Sequence, residues 1–109
     1  MNIIKGIDVL VGIGKDSNIY IIDDEIIVDT GTGEFFGDIK QEIEQTHDIS
    51  KMKTIIATHA HYDHSGGLKK FRDWLKGIVC AHEGDRKALE TGVGTYAQLF
   101  NTTPKVVTV

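Results

Sequence analysis

The stretch THAHYDHSGG, Thr58 to Gly67, holds an aspartate and three of the chain's five histidines. Neutral imidazole and carboxylate are ligands for zinc, iron or manganese. His59 and His61 are two apart, and in extended chain residues i and i+2 point the same way. Two imidazoles at that spacing can meet one ion from the end of a strand. Asp63 and His64 are adjacent, so their side chains are expected to point in different directions, which suits a second ion beside the first. The i, i+4 histidines of a helical HExxH site are not what this spacing gives. Gly66 and Gly67 let the backbone turn tightly where a side chain would obstruct. Such a density of ligands is a poor match to an ordinary polar surface loop.

Ligands need a frame. Lys53–Thr58 (KTIIAT) is short, apolar and β-branched, which predicts a buried strand with His59 just past its C-terminal end. Gly66–Lys76 puts Leu68, Phe71, Trp74 and Leu75 on one side at helical spacing, with Gly77 as a stop. Ile78–Ala81 (IVCA) reads as another buried strand. The crossover is long enough for a parallel βαβ unit, and sites in open α/β sheets gather at the carboxyl ends of the strands. Upstream, Ile7–Ile13, Asn18–Ile22 and Ile26–Asp29 have β patterns. The last two flank the acidic turn Asp23, Asp24 and Glu25 as a hairpin. Thr30–Gly37 reads as a loop and Asp38–His47 as a helix, with Asp38 as N-cap and Ile39 and Ile43 inward. Asp85–Glu90 suggests a short helix, a Gly- and Thr-containing loop follows, and Lys105–Val109 is a final β pattern. Strands 54–58 and 78–81 are apolar on both faces, as in strands covered on both sides. The fold class is α/β with α+β character, built on a mixed sheet.

Composition narrows the function classes. A chain of 109 residues makes one domain, and 40% hydrophobic with 26% charged residues is ordinary for a globular protein. A formal net charge of −4 with no Lys/Arg stripe argues against nucleic acid as partner. No apolar run approaches the roughly 20 residues of a membrane span. MNIIKG lacks the apolar region of a secretion signal, and the single Cys80 makes no internal disulfide; a cytoplasmic setting is expected.

HAHYDH, preceded by IIVDTG and followed by CAHE, resembles the HxHxDH motif of the metallo-β-lactamase fold superfamily, and the likeness runs along essentially the whole chain. The resemblance implies an αββα sandwich of two similar halves, this one a mixed sheet with helices on one face. Residues 1–109 would form a single domain, the N-terminal half, with the second half absent. It implies His59 and His61 as ligands of a first metal, and Asp63 and His64 as ligands of a second. Up to two zinc ions would complete the site, with iron or manganese as variants. Asp63 would also be catalytic, orienting the nucleophile or passing a proton. Asp29, in VDTG, resembles the family's aspartate that braces the metal loop. His82, at the end of IVCA, is a candidate pocket wall, and Tyr62 either faces the substrate or packs on the loop. His47 is expected at the surface, Cys80 in the core.

The implied activity is hydroxide attack on the ester or thioester carbonyl of a small-molecule substrate. The rivals are a noncatalytic, metal-binding or self-associating half-domain and an iron-dependent oxidoreductase of the same fold. The family's later ligands have no counterpart here, so the chain alone is expected to be inactive as a monomer. A missing second half would leave one sheet face bare, which implies a homodimer through that face.

Overall fold

The computed structural model describes residues 2–91 and 106–108. Seven strands form one mixed sheet in sequence order: β1 (Asn2–Ile4), β2 (Ile7–Leu10), β3 (Ile19–Ile22), β4 (Ile26–Val28), β5 (Thr54–Ile56), β6 (Ile78–Ala81) and β7 (Val107–Thr108). Pairing is antiparallel from β1 to β4 and parallel from β4 to β7. The helices are α1 (Phe36–Thr46), α2 (Tyr62–Ser65), α3 (Leu68–Leu75) and α4 (Arg86–Thr91). Helix α1 joins β4 to β5, and α2 and α3 join β5 to β6, as parallel neighbours require.

The period of two in the strands sorts side chains between two unlike faces. Ile21, Ile27, Ile55 and Val79 stand in one row across β3 to β6 and are 0–1% exposed. Ile39 and Ile43 of α1, Leu68, Phe71 and Leu75 of α3, and Leu89 of α4 pack over that row. Phe71 meets Phe36 edge-on at 5.2 Å and Trp74 at 5.9 Å, tying the start of α1 to α3. The opposite face carries two rows of six. One runs Val9, Tyr20, Val28, Ile56, Cys80, Val107; the other runs Ile4, Ile7, Ile22, Ile26, Thr54, Ile78. Only Val9 among them is buried.

Several local expectations need correction. Helix α1 begins at Phe36, two residues before Asp38, and the N-cap position is Phe35 with no side-chain bond. Packing of Phe36 on Phe71 and Trp74 outweighs the cap chemistry, and Asp38 instead places its charge in the first turn. Strand β2 stops at Leu10; beyond it Val11 and Ile13 are exposed, and Gly12 N–H donates to Asn18 Oδ1 across a loop. The left-handed residue that ends α3 is Lys76 (φ 52°), not Gly77. Gly77 is needed for space, since a Cβ there would run into the Lys53 backbone. His47 is not a free surface residue: its ring bridges Asp24 (Nδ1 to Oδ1, 2.6 Å) and Asp8 (Nε2 to Oδ2, 2.7 Å), fastening the end of α1 to the antiparallel sheet. Cys80 is half-buried on the open face rather than in the core. Strand β1 was not foreseen. Of Lys105–Val109, Val107–Thr108 pairs with β6, while Lys105, Val109 and the loop expected over 92–104 lie outside the described residues.

Phe71 of α3 is fully buried and meets Phe36 of α1. Phe71→Ala is expected to cost about 3–5 kcal/mol, measured by urea denaturation. A loss under about 1 kcal/mol would show that this contact does not hold the helices to the sheet.

Candidate metal centre

Strand β4 ends at Val28, and the next residue, Asp29, turns the chain with φ 64°. Gly31 (φ 71°) and Gly33 (φ 88°) repeat the left-handed conformation at alternate positions. Glycine adopts it freely, and aspartate more readily than most other residues. The resulting curl, residues 29–33, docks against the loop that follows β5. Thr30 N–H donates to the His64 carbonyl (2.9 Å), and Gly67 N–H to the Gly31 carbonyl (3.2 Å) and to Thr30 Oγ1 (3.0 Å). A Cβ on Gly66 would collide with the Thr32 carbonyl and the Tyr62 ring, so the glycine pair is what lets the two backbones touch.

Asp29 is 4% exposed and its carboxylate faces the histidine loop. Oδ1 accepts from Thr58 N–H at 2.8 Å. Oδ2 accepts from the Thr58 hydroxyl at 2.7 Å and lies 2.8 Å from His64 Nδ1. A carboxylate flanked by donors fixes the proton positions around it. His64 Nδ1 carries the proton that faces this carboxylate. The Thr58 hydroxyl has spent its proton on Asp29, so its 2.9 Å contact with His59 Nδ1 is one in which His59 donates. One buried carboxylate thus sets the tautomer of two histidines, one of them through a threonine relay.

The histidine loop gathers the four side chains singled out by spacing. His61 is the N-cap of α2, where its carbonyl accepts from His64 and Ser65 N–H, both at 3.0 Å. The His59 ring lies 4.7 Å from that of His61 and 4.1 Å from that of His64. Asp63 and His64 do not diverge as adjacency suggested: Asp63 Oδ2 comes within 3.5 Å of His64 Nε2, because a helical turn rotates neighbours less than a strand does. Among the described residues, no three His, Cys, Asp or Glu side chains converge as an ion held by them alone would require.

Tyr62 packs over Gly66 and is half-buried. Burial first, and then the Glu34 and Asp16 carboxylates, hold its hydroxyl above the usual pKa. His82 stands at the C-terminal end of β6 but is exposed, and its Nδ1 accepts from Gly84 N–H at 2.9 Å, capping the turn Glu83–Asp85. Sequence reasoning missed the loop between β2 and β3. Asp16 Oδ1 accepts from Thr32 N–H (2.9 Å) and the Thr32 hydroxyl (2.6 Å), and Ser17 N–H donates to the Asp63 carbonyl (3.0 Å). The cluster KDSN, rich in residues that bond nearby backbone, was the available signal.

The relay predicts unequal effects. Asp29→Ala is expected to release the tautomers of both His59 and His64 and to cost about 1–3 kcal/mol in unsatisfied donors. Thr58→Val is expected to release His59 alone. Long-range ¹H–¹⁵N NMR reads both; His59 keeping one tautomer in Thr58→Val would break the relay.

A family model described as the metallo-beta-lactamase superfamily matches residues 12–107. The human acyl-coenzyme A thioesterase MBLAC2 is 29% identical over 90 residues, which cover 72% of this chain and 30% of that protein. BJP-1, a subclass B3 metallo-beta-lactamase of Bradyrhizobium japonicum, is similar with a TM-score of 0.74 and 28% identity, over 100% of this chain and 42% of its own. The metallo-beta-lactamase GOB-18 from Elizabethkingia meningoseptica is similar with a TM-score of 0.63 and 30% identity, over 84% of this chain and 36% of its own. The chain therefore spans less than half the length of these proteins, and its mixed sheet with helices on one face matches part of their fold.

Proposed function

The chain belongs to the metallo-β-lactamase superfamily, and on that footing we propose that it carries the motif-bearing N-terminal half of a metal-dependent hydrolase for small acyl substrates, esters or thioesters. The observation that carries this reading is the carboxylate relay from Asp29, which holds His64 through Nδ1 and His59 by way of Thr58, with Asp63 Oδ2 3.5 Å from His64 Nε2. Such outer partners orient ligating histidines and raise their basicity. In this reading His59 and His61 would hold one zinc ion, and Asp63 and His64, whose Oδ2 and Nε2 lie 3.5 Å apart, a second.

Zinc in such a site supplies a water with a pKa near 7 and polarises an acyl carbonyl. The chain's own residues do the rest. Asp63 orients the attacking water and accepts its proton. Asp29 keeps the imidazoles from turning. The relative that acts on acyl-coenzyme A and the neighbours that are β-lactamases favour water addition to an acyl carbonyl as the common step. The thioester is our choice of substrate class on the strength of the former.

Stable zinc sites have three or four protein ligands. With two per ion, this chain alone is expected to bind zinc weakly and to turn over slowly. That ligand count favours, as a second reading, a half-domain that binds metal without catalysis. Zinc titration followed by imidazole NMR is expected to shift His59, His61 and His64 and to leave His47 and His82 in place. Asp63→Asn should abolish the His64 shift. Hydrolysis of a short acyl-coenzyme A by the monomer is expected to be zinc-dependent and slower than roughly 1 per second. Shifts confined to His47 or His82 would sink the metal assignment. Zinc-dependent shifts with no zinc-dependent hydrolysis would select the second reading.

A further inference from the structure

We propose that Asp16 is a positioning residue for Asp63: through the loop between β2 and β3 it holds that residue beside His64, and so sets the second donor pair without touching it. The assignment rests on the ligand roles proposed above for Asp63 and His64. It starts from a carbonyl whose helical donor is taken. In an α-helix the carbonyl of residue i accepts the N–H of residue i+4. In α2, His61 accepts from Ser65 N–H at 3.0 Å and Tyr62 from Gly66 N–H at 2.8 Å. The next donor in the series is Gly67 N–H, but it goes to the Gly31 carbonyl and Thr30 Oγ1. The last carbonyls of a helix need partners from outside it. For Asp63 that partner is Ser17 N–H, at 3.0 Å.

Ser17 caps α2 only while its loop stays in place, and Asp16 fastens the loop. Asp16 Oδ1 accepts both Thr32 N–H (2.9 Å) and the Thr32 hydroxyl (2.6 Å), and Thr32 Oγ1 accepts Glu34 N–H at 3.1 Å. The carboxylate fits because Gly31 has no side chain: a Cβ there would stand 2.6 Å from Asp16 Cγ. Gly12 likewise leaves room for the Asp16 carbonyl. Within the loop, Asp16 N–H donates to the Ile13 carbonyl (3.0 Å) and Gly12 N–H to Asn18 Oδ1 (2.9 Å). A shift at Asp16 is therefore carried to Ser17 rather than absorbed. Stability alone does not account for this loop. Asp16 Oδ2 and the Ser17 hydroxyl are buried with no hydrogen-bond partner among the described residues, and burying unpaired polar atoms costs stability. The other donor pair has separate support. His59 is tied to Thr58 and through it to Asp29, and among the described residues loop 11–18 makes no hydrogen bond to His59 or His61.

Asp16→Ala removes the anchor, whereas Asp16→Asn keeps an oxygen that accepts both Thr32 bonds. In the metal-free protein, Asp16→Ala is expected to speed hydrogen exchange of the Ser17 and Gly66 amides at least about tenfold, and to leave the core-strand amides of Ile55 and Val79 unchanged. Zinc titration of the same samples, read at the imidazoles, is expected to need about tenfold more zinc to shift His64, with His59 and His61 shifting as in the wild type. Asp16→Asn should restore both readouts. Thr32→Val, which removes only the hydroxyl bond, should move both in the direction of Asp16→Ala and serves if that variant does not fold. Unchanged Gly66 exchange, faster exchange throughout the sheet, equal weakening at all three histidines, or an Asp16→Asn protein that behaves like Asp16→Ala would each overturn the proposal. A wild type in which zinc shifts none of the three histidines would remove the metal reading instead, and the Gly66 amide alone would then decide whether Asp16 holds Asp63 in place.

Discussion

The candidate centre depends on one buried carboxylate held in an uncommon backbone conformation. A left-handed residue other than glycine costs roughly 1–2 kcal/mol. Asp29 sustains it because its carboxylate takes Thr58 N–H, the Thr58 hydroxyl and His64 Nδ1, while its own N–H donates to the Ile56 carbonyl at 2.8 Å. Hydrogen bonds to a charged group contribute about 1.5–3 kcal/mol each, so the set outweighs the strain. Without it the histidine loop would keep its sequence and lose its proton order.

The rest of the centre is a matter of backbones in close contact. The curl over 29–33 and the turn over 64–67 interlock through Thr30, Gly31 and Gly67, and the loop between β2 and β3 grips both partners at once through Asp16 and Ser17. Asp63, the side chain assigned the proton in the proposed reaction, is therefore positioned by its main chain from a segment 46 residues earlier in sequence, Ser17 to Asp63. Lys70 Nζ adds a bond to the Gly33 carbonyl at 3.0 Å, tying α3 to the same curl.

How much of this the sequence disclosed follows from which forces act locally. The strands around Ile27, Ile55 and Val79 and the stripe Leu68, Phe71, Leu75 were legible because burial imprints its period directly on residue type. The gathering of His59, His61, Asp63 and His64 was legible from density, and Asp29 from its place in VDTG. What stayed hidden was set by partners distant in sequence. Phe36 starts α1 by packing on α3, His47 is captured by Asp8 and Asp24 from the sheet, and Asp63 turns toward His64 because α2 forms there. Cys80 reads as a core residue, since sequence cannot say which face of an apolar strand the helices cover.

The hydrogen bonds that Asp29 accepts from Thr58 and His64 close loops of 29 and 35 residues, and Gly67 reaches Thr30 across 37. No short-range contact can substitute for them, and closure entropy must be met before they reward the chain. The contacts that order these histidines therefore require β5 docked beside β4. Without that docking the imidazoles are interchangeable ligands on a loose chain. A metal ion meeting the unfolded chain would find an unsorted donor set, whereas one meeting the folded chain would find His64 already held through Nδ1 by Asp29.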